Sequence, residues 1–405
     1  MLYLLSWKNI WRNKLRSLTV IIALILGIFA AVFMTALMNG MVEYRVKSVI
    51  QSEISHIQIH KTDFNENCDF SLIMNNADNI LQKINANRHI IAVCKRIIIS
   101  TLISSSEANT GVKIIGIVPN EEKRVSNIYS KIIEGTYFKD NKKDEIVIGK
   151  KLAHKLKVKI NENVSITVRD VNKNLINGSF CIVGIYETDN SIFDDANVFV
   201  RYKDLCDITG LKGTEAHEIA VLLDENENSE YVKLELKKQF PTLEVQNWME
   251  ISPDAGALVS MMDQYMGIFI LIILAALCFG IINTMLMVVL ERVKEFGMLM
   301  AVGMSKAKIF LMIMFETIYL SVSGGLLGIV ISYIVCKHLE KAGLNLYFWK
   351  DVFSSVGFSA EIYPVINFQM ILFTTLMVIL TGIISALYPA YKAMKYKPAE
   401  ATRQE

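Results

Sequence analysis

The sequence predicts a membrane protein with four transmembrane α-helices and a large α+β extracytoplasmic domain between helices 1 and 2. Residues 17–42, 264–290 and 362–391 contain no Asp, Glu, Lys or Arg, and residues 310–336 contain a single charged residue. A hydrocarbon core of about 30 Å is crossed by about 20 helical residues, so each of the four stretches can span it. The polar region 43–263 between the first two stretches is expected to form the domain.

The composition excludes several classes of protein. Hydrophobic residues make up 52% of the 405 residues and charged residues 20%, whereas soluble chains carry about 25% charged residues. This composition and the four apolar stretches exclude a soluble enzyme, a fibrous protein and a disordered chain. The net charge of +2 gives no basis for nucleic-acid binding.

The first segment, residues 1–16, is predicted to be a cytoplasmic amphipathic helix. It can lie in the membrane interface or serve only as a topology anchor, and the two interpretations are compatible. The apolar core of span one is longer than that of a signal peptide, so we expect span one to be retained as a transmembrane helix. Its large apolar residues recur at spacings of three and four and share one helical face: Leu4, Trp7, Trp11, Leu15 and Leu18.

The distribution of basic residues predicts the orientation of the spans. Lys and Arg are concentrated in residues 1–16, 291–309 and 392–405. Cytoplasmic loops carry such an excess, so these three segments are expected in the cytoplasm, with both termini. Residues 43–263 and the external loop 337–361 are then expected on the opposite side.

The external domain is predicted to be α+β at both ends, with a β-rich lobe inserted at about 121–212. Within this lobe, short β-rich runs are separated by polar turns. A helix near the end of the domain is predicted to face inward with Tyr231 and Leu234, and Leu236 is a further candidate.

One early strand carries three polar side chains on a single face. The alternation in residues 55–60 (SHIQIH) places His56, Gln58 and His60 together. These groups could bind a metal, but no carboxylate stands at ligand spacing. We therefore expect a solvated strand face and no metal site.

The motifs of catalysis and nucleotide binding do not occur in the sequence. It contains no phosphate-binding G-x-x-x-x-G-K-[ST], no G-x-S-x-G and no H-E-x-x-H. We therefore predict no catalytic residues, no cofactor bound by this chain and no enzymatic activity of its own. C-x-x-C is also missing, and the cysteines of the external domain are consistent either with one or two disulfides or with free thiols: Cys68, Cys94, Cys181 and Cys206.

The cytoplasmic segment 291–309 is predicted to be a docking element. A helix is expected to continue from span two through Val302, with Gly303 as a left-handed cap and Ser305 at the start of the next helix. An apolar helix at a cytoplasmic tip needs a partner to cover it. The alternative is packing on the chain's own N-terminal helix. The apolar side chains are too many for a solvated turn: Phe296, Met298, Leu299, Met300 and Met304.

Span three contains two further features. The spacing Gly324-x-x-x-Gly328 allows close helix approach, so this face is expected to meet another span. Glu316 lies about one turn inside the apolar helix, where a carboxylate is costly without a partner. A structural ion pair with Arg292 or Lys308 is favoured over a proton-transfer site.

Four segments together resemble the MacB/FtsX/LolC–LolE superfamily of ABC transporter permeases, the mechanotransmission type. They are SWKNIWRNKLRS at 6–17, INTMLMVVLERVKEFGMLMAVGMSKAKI at 282–309, GGLLG at 324–328 and YPAYKAMKYKPAEATR at 388–403. The resemblance covers nearly the whole chain. It implies a porter-like α+β lobe with an inserted β-rich lobe outside the membrane, and a location in the bacterial inner membrane.

The resemblance also implies partners. Two copies of a separate ABC ATPase would bind ATP and Mg, and a second permease, identical or homologous, would complete the transporter among membrane lipids. Segment 291–309 would be the coupling helix. The residues expected to contribute to ATPase coupling are Glu291, Arg292, Glu295, Phe296, Gly297, Leu299, Met300, Gly303 and Met304. Members of the family often carry Arg where Met300 stands, so a more apolar ATPase interface is expected.

Within this superfamily, the segments at 146–156 (IVIGKKLAHKL) and 180–200 (FCIVGIYETDNSIFDDANVFV) most resemble the lipoprotein-releasing LolC/LolE branch. That branch implies extraction of lipoproteins and a periplasmic chaperone as partner, although the connection 170–179 is short for a chaperone-docking hook. The alternatives are a MacB-like exporter of peptides or small molecules and an FtsX-like regulator of a cell-wall hydrolase. Residues expected to line the substrate path are Ile28, Val32, Met34, Met38, Leu258, Met261, Met262 and Met266.

Overall fold

The structure is a computed structural model that describes residues 14–395 except 86, 140, 141 and 173, together with Tyr3, Ser6, Trp7 and Arg12. The chain divides into two compact units. The helical unit comprises Met1–Val42, Ser260–Asn345 and Glu361–Glu405, and the sheet unit comprises Glu43–Val259 and Leu346–Ala360. The predicted residues Leu4, Trp11 and 396–405 lie outside the described residues.

Four helices are long and apolar enough to cross a membrane, within the part of the chain that the structure describes. They are α1 (Lys14–Ser48), α10 (Pro253–Glu291), α12 (Lys306–Ala342) and α14 (Phe368–Met394). The first three extend beyond the apolar stretches into charged sequence, because a helix continues until its backbone is capped and not where hydropathy changes.

The fourth span begins later than predicted, and the boundary at 362 is wrong. Ile362 belongs to the short strand β12 (Glu361–Ile362), which pairs with β11 (Leu344–Asn345). The helix starts only after Asn367, whose side chain accepts a hydrogen bond from the Gln369 amide at 3.0 Å. Local backbone pairing and an N-cap therefore set this boundary.

The glycine pair of span three meets span one, as predicted. A Cβ placed on Gly324 would lie 2.8 Å from Leu24 Cβ, and one on Gly328 would lie 3.0 Å from Ile28 Cβ. The missing side chains thus permit a close α1–α12 contact. The surrounding core includes Val20 and Val32 from α1.

The sheet unit contains one mixed sheet of ten strands. Its order is β10-β1-β9-β2-β3-β8-β5-β7-β4, and β6 pairs with β2 and β7. The pairs β3–β8 and β5–β7 are parallel, and the other pairs are antiparallel. The strands are β1 Ile57–Lys61, β2 Ile90–Ser104, β3 Asn109–Ile117, β4 Ile132–Gly135, β5 Glu145–Gly149, β6 Asn163–Arg169, β7 Leu175–Tyr186, β8 Asn197–Arg201, β9 Glu218–Leu223 and β10 Leu243–Asn247.

Short helices cover the sheet. A π-helical turn, Val49–Ile54, follows α1. Single 3₁₀ turns occur at Ile128–Lys131, Asn226–Asn228 and Tyr347–Trp349. The α-helices are α2 Phe64–Asn67, α3 Ala77–Ile84, α4 Pro119–Val125, α5 Lys150–Leu156, α6 Ser191–Ala196, α7 Tyr202–Thr209, α8 Ser229–Gln239, α9 Trp248–Ile251 and α13 Lys350–Ser355.

The predicted lobe at 121–212 is continuous with the rest of the sheet. The 15-residue strand β2 pairs with β9 along its first half and with β6 at its end, so it belongs to both parts. The hydrophobic cores are nevertheless separate, one built around Ile97, Ile146 and Ile182 and the other around Ile57 and Val221. The division into two lobes remains a prediction.

Helix α8 turns a different face inward from the one predicted. Val232 and Leu236 are fully buried, whereas Tyr231 and Leu234 are exposed. Lys233 shares the buried side because its ammonium group lies 2.9 Å from Glu230 Oε2 and 2.9 Å from Glu250 Oε1. These two ion pairs allow a lysine on a face that the apolar pattern alone would not choose.

Candidate functional site

Segment 291–309 forms a short helix held between two long ones. Helix α10 ends at Glu291, and α11 runs over Val293–Ala301. The predicted continuous helix is therefore wrong at Arg292, which leaves helical geometry with φ −102° and ψ 14°. The cap is as predicted: Gly303 has φ +100°, and the Met304 amide donates to the Leu299 carbonyl at 2.9 Å.

Arg292, between α10 and α11, forms a buried ion pair with Glu316. Its Nη1 lies 3.0 Å from Glu316 Oε1 and 3.1 Å from Oε2, and both residues are buried. The predicted ion pair of Glu316 is confirmed. The pair connects the end of α10 to α12, so these two helices are joined at this level.

The same arginine is linked to α11 and to the N-terminal segment. Arg292 Nε donates to Glu295 Oε2 at 3.0 Å, and Arg12 also forms an ion pair with Glu295. Burial acts to raise the pKa of Glu295, but the bonds and charges of the two arginines outweigh it and lower the pKa below its usual range. Glu295 therefore stays ionised.

The N-terminal segment also packs on α12. The Ser6 hydroxyl donates to the Met312 carbonyl at 3.1 Å, and the Trp7 ring meets the Tyr319 ring edge-on at a centroid distance of 5.5 Å. Of these contacts, only the Arg12–Glu295 pair reaches α11, so the alternative prediction that the apolar face of α11 packs on the N-terminal helix stays a prediction. Ser6 and Trp7 thus contact α12, and Arg12 contacts α11.

Phe296 is buried inside this chain, which corrects the expectation that it needs a partner. It is 1% exposed and belongs to a core with Ile309, Met312 and Ala390. Gly297 is also buried, and three other predicted coupling residues are partly buried against the same core: Leu299, Met300 and Met304. The sequence shows that α11 is amphipathic, but not which structure covers its apolar face.

The outward face of α11 presents a different set of residues. Met298 is 57% exposed and Val302 is 89% exposed, and Ala301 between them is also exposed. We call Met298, Ala301 and Val302 the apolar tip. Exposed Lys294 and Lys306 flank it, as do Glu291 and Gly303. Positions 298 and 302 are one helical turn apart, so their side chains lie on the same side.

Two of the residues predicted for the substrate path lie in helix packing. Ile28 and Val32 are fully buried in the core between α1 and its neighbours, so they do not face a cavity. Close approach at Gly328 places Ile28 there. This corrects the sequence-based expectation for both residues.

Three predicted methionines line a groove between α1 and α10. Met34, Met38 and Met266 meet there beside Phe269. Its free volume of about 10 Å³ is enough for about one water molecule. Met261 is exposed, and Met262 and Leu258 are half-buried outside this groove.

The polar face of strand β1 is buried, contrary to the prediction of a solvated face. His56, Gln58 and His60 are at most 8% exposed, and every residue of β1 from Ile57 to His60 is buried. His56 Nδ1 accepts the Leu223 amide at 3.1 Å, and burial lowers the pKa of His56 to about 4. Within the described residues, no three His, Cys, Asp or Glu side chains are grouped to hold a metal.

The sheet unit contains a buried charge cluster that was not predicted from the sequence. Arg96 Nη2 is 2.6 Å from Glu122 Oε1, and its Nη1 is 2.9 Å from Glu218 Oε1. The Cys94 thiol donates to Glu122 Oε2 at 3.2 Å, and burial raises the pKa of this thiol. The six cysteines are all free. The cluster ties α4 to β2 and β9, and its only signal was an arginine inside an apolar strand.

Comparison with known proteins gives two family models in sequence order. The model "MacB-like periplasmic core domain" matches residues 17–239, more than half of the chain. The model "FtsX-like permease C-terminal" matches residues 267–398. Together they cover most of the sheet unit and most of the last three long helices.

Individual relatives agree with these models. The chain is 24% identical over 306 residues to the lipoprotein-releasing system transmembrane protein LolC of Xylella fastidiosa, covering 72% of each chain. It is 37% identical over 136 residues to the macrolide export ATP-binding/permease protein MacB of Bdellovibrio bacteriovorus, covering 31% of this chain and 17% of that one. The extracellular domain of the ABC-type transporter YknZ from Gram-positive bacteria matches with a TM-score of 0.34 and 14% identity, over 47% of this chain and 99% of that one.

Proposed function

This chain belongs to the family of MacB-like and FtsX-like ABC transporter permeases, and from that premise we propose that it couples ATP hydrolysis on a separate ATPase to movements of its extracytoplasmic domain. The proposed cargo is a lipoprotein, extracted from the inner membrane for transfer to the outer membrane. The observation that carries the proposal is the apolar tip, exposed on a helix that is itself locked to the spans.

The apolar tip is proposed as the ATPase contact. An exposed apolar surface beside lysines is suited to a groove with an apolar floor and an acidic rim. Phe296 fills the core on the opposite face of α11, so α11 cannot rotate freely when the tip is pushed. The predicted coupling residues Phe296 and Gly297 then act by transmitting force, and Met298 and Val302 make the contact.

Force on the tip would reach the spans through two connections. The Arg292–Glu316 pair joins the end of α10 to α12. The Phe296 core joins α11 to Ile313 of α12 and to Ala390 of α14. Close-packed interiors transmit displacement because they compress little. The long helices are therefore expected to move as rigid rods when two ATPase subunits close on ATP and Mg.

Lipoprotein release is supported by the LolC relative and by the cost of moving acyl chains. Each CH₂ exposed to water costs about 0.8 kcal/mol, so three chains of about fifteen carbons require roughly 35 kcal/mol. An apolar path avoids that cost. The groove at Met34, Met38 and Met266 is proposed as one wall of the path, and a second permease, identical or homologous, would supply the other wall.

Export of a peptide or small molecule is the second candidate. It is supported by the 37% identity over 136 residues to a relative named as a macrolide export ATP-binding/permease protein. The two candidates share the coupling mechanism and differ in cargo. Direct docking of a chaperone is not assigned to this chain, because β6 ends at Arg169 and β7 starts at Leu175, which leaves only a tight connection.

The orientation is proposed from the basic segments that flank the spans, with both termini in the cytoplasm of a bacterial cell. A cysteine introduced at Lys212 of the sheet unit should react with an impermeant maleimide added to spheroplasts. A cysteine at Lys306 should react only after the membrane is opened. The reverse pattern would contradict the orientation.

The function is tested by reconstitution. The permease, its ABC ATPase and any second permease are placed in proteoliposomes with a fluorescent triacylated lipoprotein, and release into solution is measured with an acceptor protein present. We expect release that requires ATP. If only a macrolide or peptide stimulates ATP turnover and lipoprotein stays in the membrane, the exporter is the correct assignment.

A further inference from the structure

The loop between the last two long helices carries an exposed aromatic patch. Phe348 is 95% exposed, Trp349 58% and Val352 65%, and Tyr347 and Val356 are also exposed. These five residues, here called the aromatic patch, lie within ten positions of one another. Scattered exposed apolar residues are ordinary, but three exposed aromatic rings at consecutive positions indicate an interaction surface.

The backbone that carries the patch is held firmly. The Leu346 amide donates to the Ala360 carbonyl at 2.8 Å, and the Phe358 amide donates to the Phe353 carbonyl at 2.9 Å. Phe358 and Ala360 are buried beneath the loop. The patch is therefore presented by an ordered scaffold.

Two charged residues of the sheet unit fix the loop from below. Lys350 Nζ lies 3.0 Å from Glu187 Oε1, and this hydrogen bond raises the pKa of Lys350. Gly357 has φ +77°, and a Cβ there would lie 2.7 Å from Arg45 Cζ, so the glycine makes room for the guanidinium. Its left-handed backbone turns the chain at this point. These two contacts hold the polar side of the loop against the sheet unit.

The covalent chain keeps the patch near the end of a span. Helix α12 ends at Ala342, and the strand pair of Asn345 with Glu361 closes the base of the loop. Trp349 is four residues beyond Asn345, so its Cα lies within about 14 Å of that base by the reach of an extended chain. A bilayer crossed by α12 is within that distance.

We propose that the aromatic patch inserts into the headgroup layer of the membrane that the chain spans. Trp and Tyr are enriched at membrane–water interfaces because their rings combine an apolar body with a polar edge. Phe348 and Val352 add apolar contact area. Lys350 Nζ lies 5.7 Å from the centre of the Tyr347 ring. This surface anchors the loop, and through Glu187 and Arg45 it attaches the sheet unit to the lipid surface.

The test uses the native Trp349 in the full-length protein. Wild type and Trp349→Phe are reconstituted in phosphatidylcholine nanodiscs with and without bromine atoms on the upper acyl chain. The difference between the two emission spectra isolates Trp349. We expect brominated lipid to remove most of this difference emission and aqueous iodide to have little effect on it. Phe348→Asp should reduce the quenching by brominated lipid.

A matched control uses an exposed position of the sheet unit. Lys238→Trp is introduced in the Trp349→Phe background, on the exposed face of α8. Its emission should be quenched by iodide and unaffected by brominated lipid. Trp349 emission quenched by iodide would place the patch in water and overturn the proposal. Emission resistant to both quenchers would show that a protein covers the patch, and would overturn it equally.

Discussion

Charging the apolar tip should separate ATPase binding from folding. Met298→Asp and Val302→Asp place carboxylates on residues that are 57% and 89% exposed. Surface substitutions of this kind change the free energy of unfolding by about 0.5 kcal/mol or less. The permease alone should therefore insert and unfold like the wild type.

The same substitutions should weaken the ATPase complex strongly. A carboxylate enclosed in an apolar contact without a partner costs several kcal/mol, and each 1.4 kcal/mol raises Kd by about tenfold. Lys294 is one turn from position 298 and can pair with a carboxylate there, which reduces the cost. We expect about a tenfold rise in Kd for Met298→Asp and a rise of about 1,000-fold or more for the double variant.

The assay is titration of labelled ATPase onto the permease in nanodiscs, with thermal unfolding measured on the same samples. Val171→Asp is the matched control, because Val171 is 48% exposed in the sheet unit and should not affect ATPase binding. Phe296→Ala should instead lower the unfolding temperature of the permease, since removing a buried Phe costs about 3–5 kcal/mol of stability. A double tip variant whose Kd stays within about threefold of wild type would refute the assigned contact.

Three further predictions follow from buried charges. Glu316→Gln should lower the unfolding temperature because it leaves Arg292 buried without its counter-charge, at about 3–5 kcal/mol, and replacing Arg292 with Met in the same chain should recover part of the loss. Arg96→Met should destabilise the sheet unit by a similar amount, since it strands the Glu122 carboxylate, and hydrogen exchange of strand β2 should rise, whereas unchanged exchange would contradict a structural role. The pKa of His56 is about 4 in the folded protein against an ordinary 6.5, so between these pH values only the unfolded chain binds a proton. The free energy of unfolding should therefore be constant above pH 6.5 and fall by up to about 3 kcal/mol towards pH 4. Urea titrations of His56→Gln at several pH values should show that this pH dependence is lost.

The spans and the ion pair of Glu316 were predictable because their physics is local in sequence. An uncharged stretch of more than 20 residues has few structural alternatives in a membrane protein. A lone carboxylate in such a helix needs a partner, and Arg292 lies within reach at the facing helix end. The beginning of span four was not predictable, since the pairing of Ile362 with Leu344 depends on a residue 18 positions away.

The face of a short helix could not be assigned from the sequence. Phe296 and Met298 are equally apolar, and the pattern does not indicate which of them meets the chain's own core. The same ambiguity affected α8, where Val232 and Leu236 compete with Tyr231 and Leu234 for the interior. Tertiary packing decides such cases, because burial depends on neighbours that lie far away in sequence.

The burial of the polar residues of strand β1 could not be predicted from the sequence either. The alternation of His56, Gln58 and His60 correctly placed them on one face, but a solvated face requires that nothing covers it. Here β1 lies between β9 and β10, and its residues from Ile57 to His60 are all buried. Arg96 was overlooked for a related reason: its two carboxylate partners are 26 and 122 residues away, and the sequence pattern gives no indication of such separations.

The central claim is that ATP binding on another chain moves the sheet unit through the tip of α11. The most direct measurement is the distance between spin labels at position 238 in two permeases of the reconstituted complex, recorded without nucleotide and with ATP trapped by vanadate. We predict that the distance distribution shifts on trapping and that Val302→Asp abolishes the shift. An unchanged distribution in a complex that binds its ATPase and hydrolyses ATP would contradict the account.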